Sequence, residues 1–195
     1  MTMHAVRTHA EAKAEEVLQK ARSEFESLGE KLDAYQPDVE LVAALMFDLG
    51  VQQVPDLSVG EREYAGFLDV DAQLIVVEAN HHIHRQRFSI AHEIGHFVLH
   101  YRDSSSPYRV FTCTSIDMET TRIPDGEKER ISHWRREVEA NQFASVLLMP
   151  ESSVTAMHRV TGGSILRMSN HFKVSPQAME IRLTRLGLPC KPVRR

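Results

Sequence analysis

Two cysteines in 195 residues, Cys113 and Cys190, are too few and too far apart to form a disulfide framework. No stretch approaches the roughly 20 continuous apolar residues of a membrane span, so neither a transmembrane helix nor a membrane partner is expected. The N-terminus, Met1 to Glu16, is charged and Ala-rich, and it lacks the apolar run of a secretory signal. Cytoplasmic residence is the resulting expectation. A formal charge of −4 lacks the basic excess that would point globally to nucleic acid.

What is present is ordinary soluble composition, 42% apolar and 26% charged, in a chain long enough for one core with appended helices. Histidine is the exception. There are 11, and five of them (His81, His82, His84, His92 and His96) fall within sixteen residues. Histidine is a common metal ligand, so their spacing decides whether the number matters.

Apolar residues at three- and four-residue spacing predict an amphipathic helix from Ala10 to Tyr35, within an N-terminal unit 1–36. A second helix is expected from Pro37 to Leu49, with Pro37 in its first position and Gly50 as its cap. Tyr64 to Leu68 and Gln73 to Glu78 read as two strands, the second apolar enough to be covered on both faces. His81 to Arg87 reads as a basic connector, followed by a helix from Ser89, its N-cap, to Tyr101. Arg102 to Asp125 is loop-like, with a strand at Tyr108 to Thr114. Glu127 to Met149 is a long helix stopped by Pro150, which closes a core unit 37–150. Three short helices, Pro150–Val160, Ser164–Phe172 and Pro176–Leu186, make a C-terminal segment 151–195 packed on that core. The fold class expected is α+β, mainly helical, with a small sheet.

His92-Glu93-Ile94-Gly95-His96 is the motif that carries chemistry. Helical residues four apart are offset by only about 40°, so both imidazoles project from one face. Two nitrogens can then reach one Zn²⁺ at about 2.0–2.1 Å, with Glu93 beside them to take a proton from water. The bare motif also arises by chance on ordinary helices. Here its half-buried setting among Phe88, Ile90, Phe97, Val98 and Leu99 favours a metal, because buried polar groups need partners. Gly95 in mid-helix costs about 1 kcal/mol relative to Ala, which suggests a close approach behind the metal.

A catalytic zinc needs a third protein ligand and an open position. No third histidine follows at the His-x-x-Gly-x-x-His spacing. A carboxylate from the downstream helix, Glu137, can serve, with Asn141 one turn on to hydrogen-bond His92 or His96. Glu139 points about 200° from Glu137 and is expected to face solvent. Spacing alone favours a plainer reading, in which both are surface glutamates on a charged helix.

The run Arg85-Gln86-Arg87-Phe88-Ser89-Ile90-Ala91-His92-Glu93-Ile94-Gly95-His96-Phe97-Val98-Leu99-His100 resembles the hallmark of the ImmA/IrrE family of metallopeptidases. Glu137 to Ala144, followed by Leu147-Leu148-Met149-Pro150, resembles that family's second signature, and the resemblance covers roughly Val39 to Leu188. It implies a zincin-like fold, zinc held by His92, His96 and Glu137, and Glu93 as general base. It also implies selective cleavage of a protein, typically a helix-turn-helix repressor encoded nearby. The chain departs from the family in a longer segment between the signatures, Arg102 to Arg136.

His100, Tyr101 and Tyr108 are candidates for stabilising the oxyanion of such a reaction. His100 can alternatively cap its helix's C-terminal carbonyls. His81, His82 and His84 read as a solvated connector in preference to a second metal site. Cys113 reads as a free thiol in preference to a silencing ligand, and no role follows for Cys190. Ser164 to Gly187 has helix-turn-helix character, with Arg182 and Arg185 on its last helix and Arg194 and Arg195 beyond. Packing on the core outweighs DNA recognition there. The competing functions are a non-proteolytic regulator or toxin-antitoxin-type partner that keeps the metal for structure, and a DNA-binding protein.

Overall fold

The computed structural model describes residues 3–59, 62–102, 110–114 and 128–191, with side chains for 9–58, 63–102, 110–112 and 130–191. Tyr108, Arg194, Arg195 and the side chain of Cys113 lie outside the described residues, as does most of the expected Arg102–Asp125 loop. Among the described residues, seven α-helices, a π-helical turn and five strands make an α+β fold that is mainly helical.

Helix α1 (Met3–Ser27) buries Ala10, Ala14, Val17, Leu18, Ala21 and Phe25 along one stripe. The apolar pattern continues to Tyr35, but the helix does not. Gly29 adopts φ +78°, and the amides of Gly29 and Glu30 bond back to the carbonyls of Glu26 and Phe25 at 3.1 and 2.8 Å. This is a glycine-terminated cap, and it leaves Leu28 exposed. Asp33 then accepts the amides of Tyr35 and Gln36 and turns the chain towards the next helix. Helix α2 (Val39–Phe47) is capped by the Asp38 carboxylate, which accepts the Leu41 amide at 3.0 Å. Pro37 therefore precedes the cap rather than opening the helix, and Asp48 (φ 56°), not Gly50, closes it.

The strands are β1 (Gly50–Val54), β2 (Ser58–Val59), β3 (Arg62–Asp69), β4 (Leu74–Glu78) and β5 (Val110–Thr114). β1 lies parallel to β4, β4 antiparallel to β3, and β3 antiparallel to β5; β2 pairs with the start of β3. β3, β4 and β5 match expected strands, and Ile75, Val76 and Val77 of β4 are buried as expected. β1 and β2 have no counterpart in the sequence reading, since Gln52 and Gln53 interrupt any apolar alternation.

Helix α3 (Ile83–His96) starts well before Ser89. A ring nitrogen of His82 accepts the His84 amide at 3.2 Å as its cap, and the Gln86 amide donates to the carbonyls of Ala79 and His81. The expected connector is thus the first half of the helix, and Ser89 is buried inside it. From Phe97 to Arg102 the winding widens into a π-helical turn. Helix α4 (Lys128–Leu148) ends before Pro150, and α5 (Glu151–Thr161), α6 (Ile165–Phe172) and α7 (Pro176–Arg185) follow. Among the described residues, no helix is long and apolar enough to cross a membrane.

α3 packs on β3 and β4 and against α4, which in turn carries α1. Gly95 lies tight against α4. A Cβ there would lie 3.2 Å from the Cα and carbonyl oxygen of Ala140 and from Cβ of Phe143. Gly95→Ala gains about 1 kcal/mol of helix propensity but must displace backbone, and overpacking costs about 1–3 kcal/mol. We expect a net loss of stability on denaturant unfolding; a stabilised variant would contradict the fit.

Arg182 is 2% exposed, donates to the Met149 carbonyl at 3.0 Å and lies 3.5 Å from Glu11. Arg185 donates to the side chain of Gln142. Two bases that a DNA-reading helix would present are instead turned into the contact of α7 with α4 and α1.

Candidate metal centre

His92 and His96 sit one turn apart on the buried face of α3, and Glu137 reaches them from α4. Their donor atoms converge. Nε2 of His92 and Nε2 of His96 are 2.9 Å apart, and the Glu137 carboxylate oxygens lie 3.2 Å from the first and 3.3 Å from the second. Among the described residues, these three are the group whose geometry can hold a metal ion.

The arrangement fits such an ion. Donors bonded at about 2.0–2.1 Å in a tetrahedron lie roughly 3.3–3.4 Å from one another. Protonation agrees, because a ligand must present a lone pair. Burial pushes His96 down to about 4, against the pull of Glu137, so its ring is neutral. Burial alone would push Glu137 up, but the His96 and His92 imidazoles outweigh it and hold the carboxyl well below the usual range. His96 therefore offers a neutral imidazole and Glu137 a carboxylate.

The ring nitrogens that face away are also engaged. His92 Nδ1 lies 2.9 Å from Asn141 Oδ1, so of the two imidazoles offered to Asn141 by the sequence, the structure selects His92. His96 Nδ1 lies 3.0 Å from His100 Nδ1, and His100 Nε2 lies 2.8 Å from Glu139 Oε2. One expectation is corrected here: Glu139 does not simply face solvent, because the turn after α3 brings His100 round to meet it. His100 stands behind His96, with Nδ1 turned to His96 Nδ1 and Nε2 turned to Glu139 Oε2. Tyr101 packs its ring against Phe97 at 5.5 Å and is partly buried in the core.

Glu93 is completely buried next to His92, and neither carboxylate oxygen has a hydrogen-bond partner among the described residues. Burial pushes its pKa up to about 8, with Glu137 adding to the rise and His92 opposing it. Gly66 of β3 lies beside it: a Cβ there would touch Glu93 Oε1 at an ordinary 3.5 Å and would be crowded by the Val76 carbonyl oxygen at 3.1 Å and Val77 Cγ1 at 3.3 Å.

Two further groups escaped the sequence reading. Phe111 of β5 stacks on His96 with ring centroids 5.2 Å apart and planes 20° apart. His133, half-exposed, lies 3.8 Å from Glu137 Oε1. Its signal was present in the sequence, because His133, Glu137 and Asn141 recur every four residues on α4.

Residues 52–184 match the Peptidase_M78 family, described as the IrrE N-terminal-like domain. The metallopeptidase ImmA of Bacillus subtilis (strain 168) is 25% identical over 113 residues, 57% of this chain and 57% of that protein. A solved transcriptional regulator of Mycobacterium tuberculosis shares the fold, with a TM-score of 0.55 at 16% identity over 94% of this chain and 52% of that one. The chain thus spans a little over half the length of each relative. With the family match covering most of its length, the chain belongs to the IrrE N-terminal-like domain family of metallopeptidases.

Proposed function

We propose that this protein is a zinc-dependent endopeptidase that makes a selective cut in a protein substrate. The observation that carries the reading is the buried convergence of His92, His96 and Glu137 beside Glu93, whose carboxylate has no hydrogen-bond partner among the described residues. A purely structural site has no use for that extra carboxylate.

His92, His96 and Glu137 would hold the ion, and zinc when bound supplies a Lewis acid that acidifies water and polarises a carbonyl. Glu93 takes the proton of the attacking water and returns it to the leaving amine. Glu93 is fully buried, so bulk solvent is kept from its carboxylate. His133 stands at the rim of the cluster and is the side chain we assign to donate a hydrogen bond to the developing oxyanion. Its replacement by alanine is expected to lower kcat by roughly 10²–10³-fold with bound metal unchanged. Unchanged turnover in steady-state kinetics would remove His133 from the reaction.

The family resemblance supports a helix-turn-helix repressor as substrate. Incubation of the zinc-loaded protein with the repressor encoded next to it should give two defined fragments, and none after chelation. An intact repressor under both conditions would contradict the substrate assignment, and no cleavage of any protein would contradict the activity. Arg182 and Arg185, engaged inside the fold, give no support to DNA recognition by α7.

A further inference from the structure

Three side chains run in line from the metal cluster to a different face of α4. His96 Nδ1 meets His100 Nδ1 at 3.0 Å, and His100 Nε2 meets Glu139 Oε2 at 2.8 Å. Both rings are buried, and the Glu139 side chain is 21% exposed. The direction of hydrogen bonding along the line is set at its far end. An ionised carboxylate only accepts, so the proton between His100 and Glu139 belongs to His100 Nε2. With that single N–H spent on Glu139, His100 Nδ1 is left an acceptor. The proton between the two rings then belongs to His96 Nδ1. His96 Nε2 is left bare, with its lone pair towards His92 Nε2 and Glu137.

The opposite tautomer would place a proton between His96 Nε2 and Glu137. That proton would occupy the position of the ion and satisfy the cluster by itself. We infer that Glu139, acting through His100, holds His96 in the tautomer that a metal ligand requires. Both are positioning residues. α4 thus serves each imidazole twice: Glu137 binds in front of both, Asn141 supports His92 from behind, and Glu139 supports His96 from behind through an intervening ring. Phe111 covers the His96–His100 pair from β5, with ring centroids 5.2 and 6.4 Å from theirs, and limits the rotation that would break the line.

The inference rests on the metal reading above, and its test separates the two. Zinc affinity is measured by chelator competition on the full chain. His100→Leu keeps bulk but has no acceptor, and it is expected to bind zinc about 10–100-fold more weakly. His100→Gln returns a carbonyl oxygen to the Nδ1 proton and should recover to within a few-fold of wild type. Glu139→Ala should weaken binding in the same direction, by less. Equal affinities for His100→Leu and His100→Gln, or His100→Leu within twofold of wild type, would overturn the inference. A wild-type protein that takes up no zinc removes the metal reading. The tautomer is then decided on metal-free protein at mildly alkaline pH, by nitrogen chemical shifts of His96. A proton on Nδ1 in wild type that moves to Nε2 in His100→Leu supports the inference; a proton on Nε2 in wild type overturns it.

Discussion

Glu93→Gln is expected to lower substrate cleavage by roughly 10²–10⁴-fold while zinc stays bound at one equivalent. The amide keeps the shape of the carboxylate but cannot accept the proton of the attacking water. Loss of fold would be the trivial explanation, and the structure argues against it. Glu93 is buried with no hydrogen-bond partner among the described residues, and its pKa rises from an ordinary 4.5 to about 8. In the metal-free protein the folded state therefore retains a proton that the unfolded chain has released. Stability falls as pH rises from about 4.5 to about 8 and is level above that. Glu93→Gln removes this loss. Metal-free Glu93→Gln should then be more stable than metal-free wild type at neutral pH, by on the order of 1–3 kcal/mol after the cost of an unpartnered amide. A variant both more stable and inactive isolates the carboxylate's chemical role. Full activity in Glu93→Gln would contradict the mechanism outright.

Glu137→Gln carries the second large effect. It removes the one carboxylate from the donor set and leaves two imidazoles facing an amide. Zinc affinity should fall by more than about 100-fold, beyond the 10–100-fold expected from the residues behind the ligands. Thermal unfolding with and without zinc checks this without any substrate. Wild type should gain about 4 kcal/mol at a thousandfold excess over Kd, and Glu137→Gln under the same conditions little of it. An equal rise in both proteins would place the ion elsewhere. Cleavage should be lost with the metal.

The two halves of the site differ in how plainly the sequence displays them. His92, Glu93 and His96 are legible because a single helix sets their geometry, and four-residue spacing is all that is needed. Glu137 and Asn141 are legible by the same spacing once a signature attaches α4 to α3. Glu139 is not. Its direction from the axis of α4 can be read from the sequence, but what waits in that direction cannot. The π-helical turn after His96 brings His100 there, and nothing local in Phe97 to Arg102 announces it.

The start of α3 was obscured for a different reason. Its buried stripe includes Gln86, Ser89 and Glu93, so a search for apolar periodicity sees a polar connector where the fold has a helix. β1 escaped likewise, because its polar pair Gln52 and Gln53 leaves an apolar alternation only in part. The over-extension of α1 is the converse case, with apolar spacing running past a glycine that the backbone uses to turn.

X-ray absorption at the zinc edge of the purified protein tests the central claim most directly. The account predicts one zinc per chain, with two imidazole nitrogens at about 2.0–2.1 Å, carboxylate oxygen at about 2.0–2.2 Å and one further light atom. A sulfur shell at about 2.3 Å, or a protein that binds no zinc at all, would contradict it.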